Sequence, residues 1–318
     1  MDVHRKSRKK AIVIFIAVVL AVHFTAVLFL TENGIARLYP FAVRAYAEEL
    51  NPSGNSYAVY YNARLTVSES EMIVVGIDPS VAQSYDALGH FFRFAKQYSN
   101  IGNVMLETDK MITRQIGRLV ISADEELKSV RTEILKTEFG VSNDFSDFLT
   151  ELAFVNGTMA PVRKFTVSSS LDDNGAVSVD KMYTEFSAMY HETEQTTMAV
   201  VDIALLDSAD FTAALKERFG DRLLTIKMRY SDDEEHSRES KLNLPFAGRG
   251  TKVYFVCGSR LDWFYHYANR MLNFFKGADG FDYAEKITGD NRGFFFVVSN
   301  GTPVTYVTAS AEKEAVEE

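Results

Sequence analysis

Residues 71–109 read EMIVVGIDPSVAQSYDALGHFFRFAKQYSNIGNVMLETD, and their patterning decides the fold class. Met72-Ile73-Val74-Val75-Gly76 is a continuous apolar run with no alternation, the pattern of a strand covered on both faces. Asp78-Pro79-Ser80 interrupts it. From Tyr85 to Tyr98 the apolar residues Leu88, Phe91, Phe92, Ala95 and Tyr98 recur at helical spacing, and Gly102 is expected to end the helix in a left-handed conformation. Val104-Met105-Leu106 is a second strand that closes at Glu107. The stretch is a β-α-β unit, which places two parallel strands in one sheet.

The pattern recurs downstream. Strands are expected at Met198–Leu206, Leu223–Met228, Val253–Cys257, Gly293–Ser299 and Val304–Val307. Helices are expected at Ala209–Phe219, stopped by Gly220, and at Leu261–Phe275, with residues 109–152 and 181–194 mainly helical. Alternation of this kind predicts an α/β fold: a mostly parallel sheet with helices on both faces.

Ahead of this domain, Ala11 to Leu30 is a run of twenty residues without a full charge, containing His23. At about 1.5 Å per residue it spans about 30 Å, the thickness of a bilayer's hydrocarbon core. Arg5, Lys6, Arg8, Lys9 and Lys10 precede it and Glu32 follows, so the positive-inside rule leaves the N-terminus in the cytoplasm. The expected organisation is a basic tail (1–10), a transmembrane segment (11–30), a stalk (31–60), an extracytoplasmic domain (61–310) and an acidic tail (311–318). A cleaved signal peptide is the competing reading. Its apolar region would be shorter, and the small-residue site Ala45-Tyr46-Ala47 lies fifteen residues past the run.

The net charge is −9; with +4 in the first ten residues, the rest carries −13. An acidic domain without a basic stripe excludes nucleic acid as the expected partner. The single cysteine, Cys257, rules out an internal disulfide and suits a bacterial envelope better than an animal secretory route. Asn156-Gly157-Thr158 and Asn300-Gly301-Thr302 match the glycosylation sequon, a frequent chance triplet.

Ligands of open α/β sheets bind at the carboxyl ends of the strands. Those ends are Gly76–Ser80, Glu107-Thr108-Asp109, Leu206-Asp207-Ser208 and Lys227–Tyr230. They make Gly76, Ser80, Asp109, Asp207 and Ser208 cleft candidates, and Glu107 and Asp78 the candidate catalytic carboxylates. Glu107 follows a wholly apolar strand, where a raised pKa and general-base work are plausible; a buried structural carboxylate is the plainer reading. The six histidines (4, 23, 90, 191, 236, 266) show no metal-ligand spacing, so no metal or cofactor is expected. No GxSxG, P-loop, GxGxxG or HExxH motif occurs.

Residues 71–109 resemble the opening of the erythromycin esterase-like and haem-uptake (Tiki-like, ChaN-like) superfamily, in which an apolar strand ends in a G-E-x-x-H-type loop, followed by a helix and a second strand ending in glutamate. TTMAVVDIALLDSADFTAALKERFGDRLLTIKMRY, residues 196–230, resembles the superfamily's second block through Phe219-Gly220-Asp221, and ADGFDY (278–283) and NGTPVTYV (300–307) extend the likeness to roughly residues 70–308. Two departures stand out. Ile77-Asp78-Pro79-Ser80 replaces the first loop's glutamate and histidine, and Ile203 to Ser208 carries no histidine where the second loop would. The resemblance therefore implies a degenerate, non-catalytic relative: a membrane-bound, single-pass binding or interaction module of the cell envelope, with a small ligand or an envelope protein as partner. An ester hydrolase with a rebuilt site, using Glu107 or Asp78 with His191 or His266, stays open as the alternative. Haem or metal capture at the cell surface, through a histidine or one of fifteen tyrosines, is the third.

Overall fold

A computed structural model describes residues 47–50, 63–122, 141–230, 252–256, 295–299 and 301–306, with residues 42, 45, 128, 129, 132, 135, 264, 266–268 and 270 between them. The 11–30 segment, Cys257, the 278–283 motif and most of 31–60 lie outside the described residues. Among the described residues no helix is long and apolar enough to cross a membrane.

The elements in chain order are β1 (Ala47–Glu49), α1 (Arg64–Glu69), β2 (Met72–Ile77), α2 (Ala82–Tyr98), β3 (Ile101–Leu106), α3 (Lys110–Ile121), α4 (Asn143–Thr158), β4 (Thr166–Ser169), α5 (Val179–Thr193), β5 (Thr196–Asp202), α6 (Ile203–Asp207), α7 (Ala209–Phe219), β6 (Leu223–Tyr230), β7 (Lys252–Val256) and β8 (Phe295–Ser299). They form one sheet of eight strands in the order β1-β7-β8-β6-β2-β5-β3-β4. The pairings from β8 to β4 are all parallel, and only β7 runs against its neighbours β8 and β1.

All six residues of β2 are buried, as the unbroken apolar run requires. Ile73, Val75 and Ile77 face one helical layer with Phe91, Phe92, Ile116, Leu119, Leu149 and Leu152 from α2, α3 and α4. Met72 and Val74 face the other, with Met182, Phe186, Ile203, Leu206, Leu215 and Phe219 from α5, α6 and α7. Helices therefore cover both faces, as expected.

Several boundaries differ from the sequence reading. Gly102 lies inside β3, and α2 ends instead at Ser99 in extended backbone, with Ser99 N–H donating to Ala95 O. The expected strand Met198–Leu206 stops at Asp202, whose carboxylate accepts from the Ala204 N–H and opens α6. An N-cap of this kind outweighs the apolar continuation Ile203-Ala204-Leu205-Leu206. Val304 to Tyr306 form no strand; this stretch lies in a strap whose single bridge joins Pro303 to Val81. Thr166–Ser169 is a strand that its polar composition conceals. Ala47–Glu49, within the stretch expected to be a stalk, pairs antiparallel with β7. Gly220 does end α7, at φ +56°.

Asn156 is wholly buried in α4, donating to Val120 O (3.2 Å) and Phe165 O (3.1 Å) and accepting from Phe165 N (3.0 Å). Its amide is consumed in holding α4 against the approach to β4, so this sequon presents no acceptor at the surface. Lys96, on the last turn of α2, is buried with its ammonium donating to Ile101 O. Burial, with the charge of Arg163 adding to it, pushes the Lys96 pKa down to about 8.

Two measurements check these contacts. A Cβ added at Gly76 would meet Leu206 Cδ1 at 2.7 Å and Ile203 Cδ1 at 3.0 Å, inside a closed apolar cluster. Gly76→Ala is expected to lower stability by about 1–3 kcal/mol in urea denaturation. For Lys96, the folded chain loses its proton near pH 8 and the unfolded chain near 10.5, so the unfolded state binds more protons between those values. Stability relative to Lys96→Met therefore rises across that window, by up to about 3 kcal/mol, and is flat below it. Denaturation of both proteins at pH 7 and pH 10 reads the difference; a constant gap would show that Lys96 is not desolvated.

Candidate functional site

The connection that leaves β2 passes through α2 on one face of the sheet to β3; the one that leaves β5 passes through α6 and α7 on the other face to β6. Since β2 and β5 are neighbours, their carboxyl ends part in opposite directions and leave a crevice between them. A cleft of about 240 Å³ lies there, lined by Ile77 of β2, Pro79 of the β2–α2 turn, Tyr85 of α2, Glu107 and Thr108 after β3, Phe145 of α4, and Val200 to Asp202 of β5.

Tyr85 and Phe145 form its aromatic wall, with ring centroids 5.5 Å apart. A strap, residues 302–305, is bonded to the segments that carry that wall. Ala82 N–H donates to Thr302 O, Val304 N–H to Ser80 O, and Asn143 N–H to Thr305 O. Gln83 closes a reciprocal pair with Thr302, and Thr305 N–H reaches Asp144 Oδ2. The first turns of α2 and α4 are thereby fixed to one another through residues 302–305.

Glu107 sits at the mouth, and its Oε2 accepts from the Asp202 N–H at 3.0 Å. Partial burial raises its pKa above the usual carboxylate range; the Asp202 N–H opposes this, and the Asp202 carboxylate adds to the rise. Asp78, the other candidate catalytic carboxylate, is occupied in its own turn, with Oδ1 accepting from Ser80 N (2.8 Å) and Ser80 Oγ (2.6 Å). It does not line the cleft.

The remaining cleft candidates separate. Asp109 caps α3, accepting from Met111 N and Ile112 N. Asp207 lies at the end of α6 and binds Lys227 Nζ at 2.9 Å and Arg229 Nη1 at 3.1 Å. Ser208 precedes α7 without capping it through its side chain. Gly76 admits α6 to the sheet rather than facing a ligand. His191 is exposed on the last turn of α5, at the amino end of the sheet, and His266 is exposed as well. His90 lies on α2, its pKa lowered by burial and by Arg93. Among the described residues no histidine lines the cleft, and no group of three His, Cys, Asp or Glu side chains is placed to hold a metal.

Sequence reasoning missed Asp202, Tyr85, Phe145 and the role of Tyr230. The Tyr230 hydroxyl accepts from Asp78 N (2.7 Å) and lies 2.8 Å from Ser84 Oγ, which donates to Asp78 O (2.8 Å). Each donor then has one acceptor: Asp78 N–H to Tyr230, Tyr230 O–H to Ser84, Ser84 O–H to Asp78 O. This buried ring locks the β2–α2 turn to the end of β6, and burial raises the Tyr230 pKa far above its ordinary value.

No family model and no curated protein matches this chain. The fold has a solved counterpart. A crystal structure of a Bacillus cereus protein superposes with a TM-score of 0.56 over 87% of this chain and 100% of that one, at 10% identity. At that identity the likeness speaks for the fold alone.

Tyr230→Phe leaves the Asp78 N–H without its acceptor and Ser84 without a donor, so a loss of about 1–3 kcal/mol in chemical denaturation is expected. Ser84→Ala in the same background should then cost less than it does alone, because its bond to Tyr230 is already gone and only its bond to Asp78 O remains to be lost.

Proposed function

We propose that this chain is a binding module rather than a hydrolase: a degenerate erythromycin esterase-like domain, held outside a membrane by residues 11–30, that accepts a small ligand in its switch-point cleft without breaking a bond in it. The observation that carries this reading is the state of Glu107. Its Oε2 is held by a backbone N–H, and no histidine stands among the described lining residues to pass a proton on. Ester hydrolysis needs a base for the water and an acid for the leaving group. Burial lifts the Tyr85 hydroxyl far above its ordinary pKa, which makes it a poor proton donor near neutrality.

What the cleft offers instead is two aromatic rings beside two carboxylates, Glu107 and Asp202. That chemistry suits a small molecule with a flat apolar body and a cationic end. The apolar run 11–30 behind a basic tail supports the topology, with the domain outside and the N-terminus inside.

One observation favours the rival, a hydrolase with Glu107 as its base: burial raises that carboxyl's pKa, the direction general-base work requires. Purified full-length chain and Glu107→Gln, offered simple and macrolactone esters, separate the two. The expected result is no turnover from either; turnover abolished in Glu107→Gln would sink the binding-module reading. Tryptamine is expected to raise the melting temperature of the wild type, more so as pH rises through the elevated Glu107 pKa and the carboxylate ionises, with neutral indole weaker throughout.

A further inference from the structure

Among the described residues β4 is the last strand of the sheet on its side. Ser170 N–H donates to Leu106 O at 3.0 Å, so by the alternation of a parallel ladder Val167 and Ser169 turn their N–H and C=O groups away from β3. No described residue hydrogen-bonds to those four outward groups. They lie on the floor of a groove of about 910 Å³, walled by α3 on one side and by Lys181 and Glu185 of α5 on the other.

The α3 wall is cationic. Lys110, Arg114 and Arg118 follow one another at four-residue intervals along the groove. Lys110 is engaged by Asp173 and Lys181 by Glu185, whereas Arg114 and Arg118 are exposed and meet no acidic side chain among the described residues. A chain of net charge −9 thus carries two guanidinium groups with no described acidic partner beside a strand edge that no described residue covers.

Gly117 sits between them, in mid-helix, where glycine costs about 1 kcal/mol against alanine. A Cβ at this position would lie 3.9 Å from Val167 O, in ordinary contact, so a methyl group fits there and a longer side chain would extend beside that carbonyl. Glycine leaves the strand edge uncovered.

We propose that this edge is a docking site for an extended acidic segment of a partner protein, added as a further strand beside β4. Strand addition satisfies the outward groups of Val167 and Ser169, and the arginines read the partner's charge. The spacings agree: residues four apart on a helix advance about 6 Å, and residues two apart on a strand about 6.6 Å. Acidic residues at alternate positions, all on the side toward α3, meet Arg114 and Arg118 in register. Exposed Ile121, at the end of the same helix, offers apolar contact beyond them. This surface is separate from the Glu107 cleft and stands or falls independently of it.

The test is binding of purified full-length chain to an array of octapeptides with Glu or Asp at alternate positions and Val, Thr, Ile or Ser between, each beside a counterpart with Lys for the acidic residues. Acidic peptides are expected to bind and the Lys series not to. Affinity should fall at least tenfold in Arg114→Glu/Arg118→Glu and in Gly117→Leu, and be unchanged in Glu107→Gln. Backbone N-methylation of alternate amides in the best peptide, on the edge facing β4, should abolish binding. Equal binding of acidic and Lys peptides, binding that survives the double charge reversal, or binding that survives N-methylation would each overturn the proposal. Thermal unfolding of the variants confirms that exposed Arg114 and Arg118 and the tolerant position 117 leave the fold intact.

Discussion

The burial of β2 on both faces is the constraint from which the rest of the structure follows. Six consecutive apolar residues cannot be left against water on either side, and an unpaired polar backbone inside such a strand would be costly. Both flanking positions in the sheet are therefore filled, by β5 and β6, and both faces are covered by helices. The crevice at the carboxyl end of the sheet is a consequence of that double cover. Chain connections must diverge to reach both layers, and the place where they diverge stays open.

The two ends of this crevice are built by different means. On one side the β2–α2 turn is held by a closed ring of neutral hydrogen bonds through Tyr230 and Ser84. On the other, Asp202 joins strand to helix, capping α6 with its side chain while its amide holds Glu107. A carboxylate so held is well positioned and poorly free to act, which is why the same residue reads as a general base in sequence and as a hydrogen-bonded carboxylate in the fold. Asp207 makes a similar point: its position at a helix end looks like a cleft, yet Lys227 and Arg229 neutralise it away from the crevice.

Much of the scaffold was legible because it depends on local patterning. The apolar run 72–76, the helical stripe of Leu88 to Tyr98 and the glycine stop at 220 each carry their own signal. Thr166–Ser169 carried none, since a short strand at a sheet edge needs no continuous apolar pattern. The turn from β5 into α6 was hidden because a buried strand and a buried helix are both apolar, and only Asp202 marks the boundary. Of the candidate site, Glu107 was found because it closes a strand. Tyr85, Phe145 and Tyr230 were not, because their meeting depends on contacts between residues far apart in the chain.

That separation bears on the order in which the molecule takes shape. Gln83 and Thr302, which clasp the strap to α2, stand 219 residues apart. Contacts of such high sequence separation carry the largest loop-closure cost and gain nothing until the intervening sheet has formed. The described lining of the cleft is in place once β5 has paired with β2 and β3, whereas the tie between α2 and α4 awaits residues 302–305. A chain emerging during synthesis thus lines its cleft before that tie is made, and breaking the tie would free the first turns of α2 and α4 from one another while leaving the sheet in place.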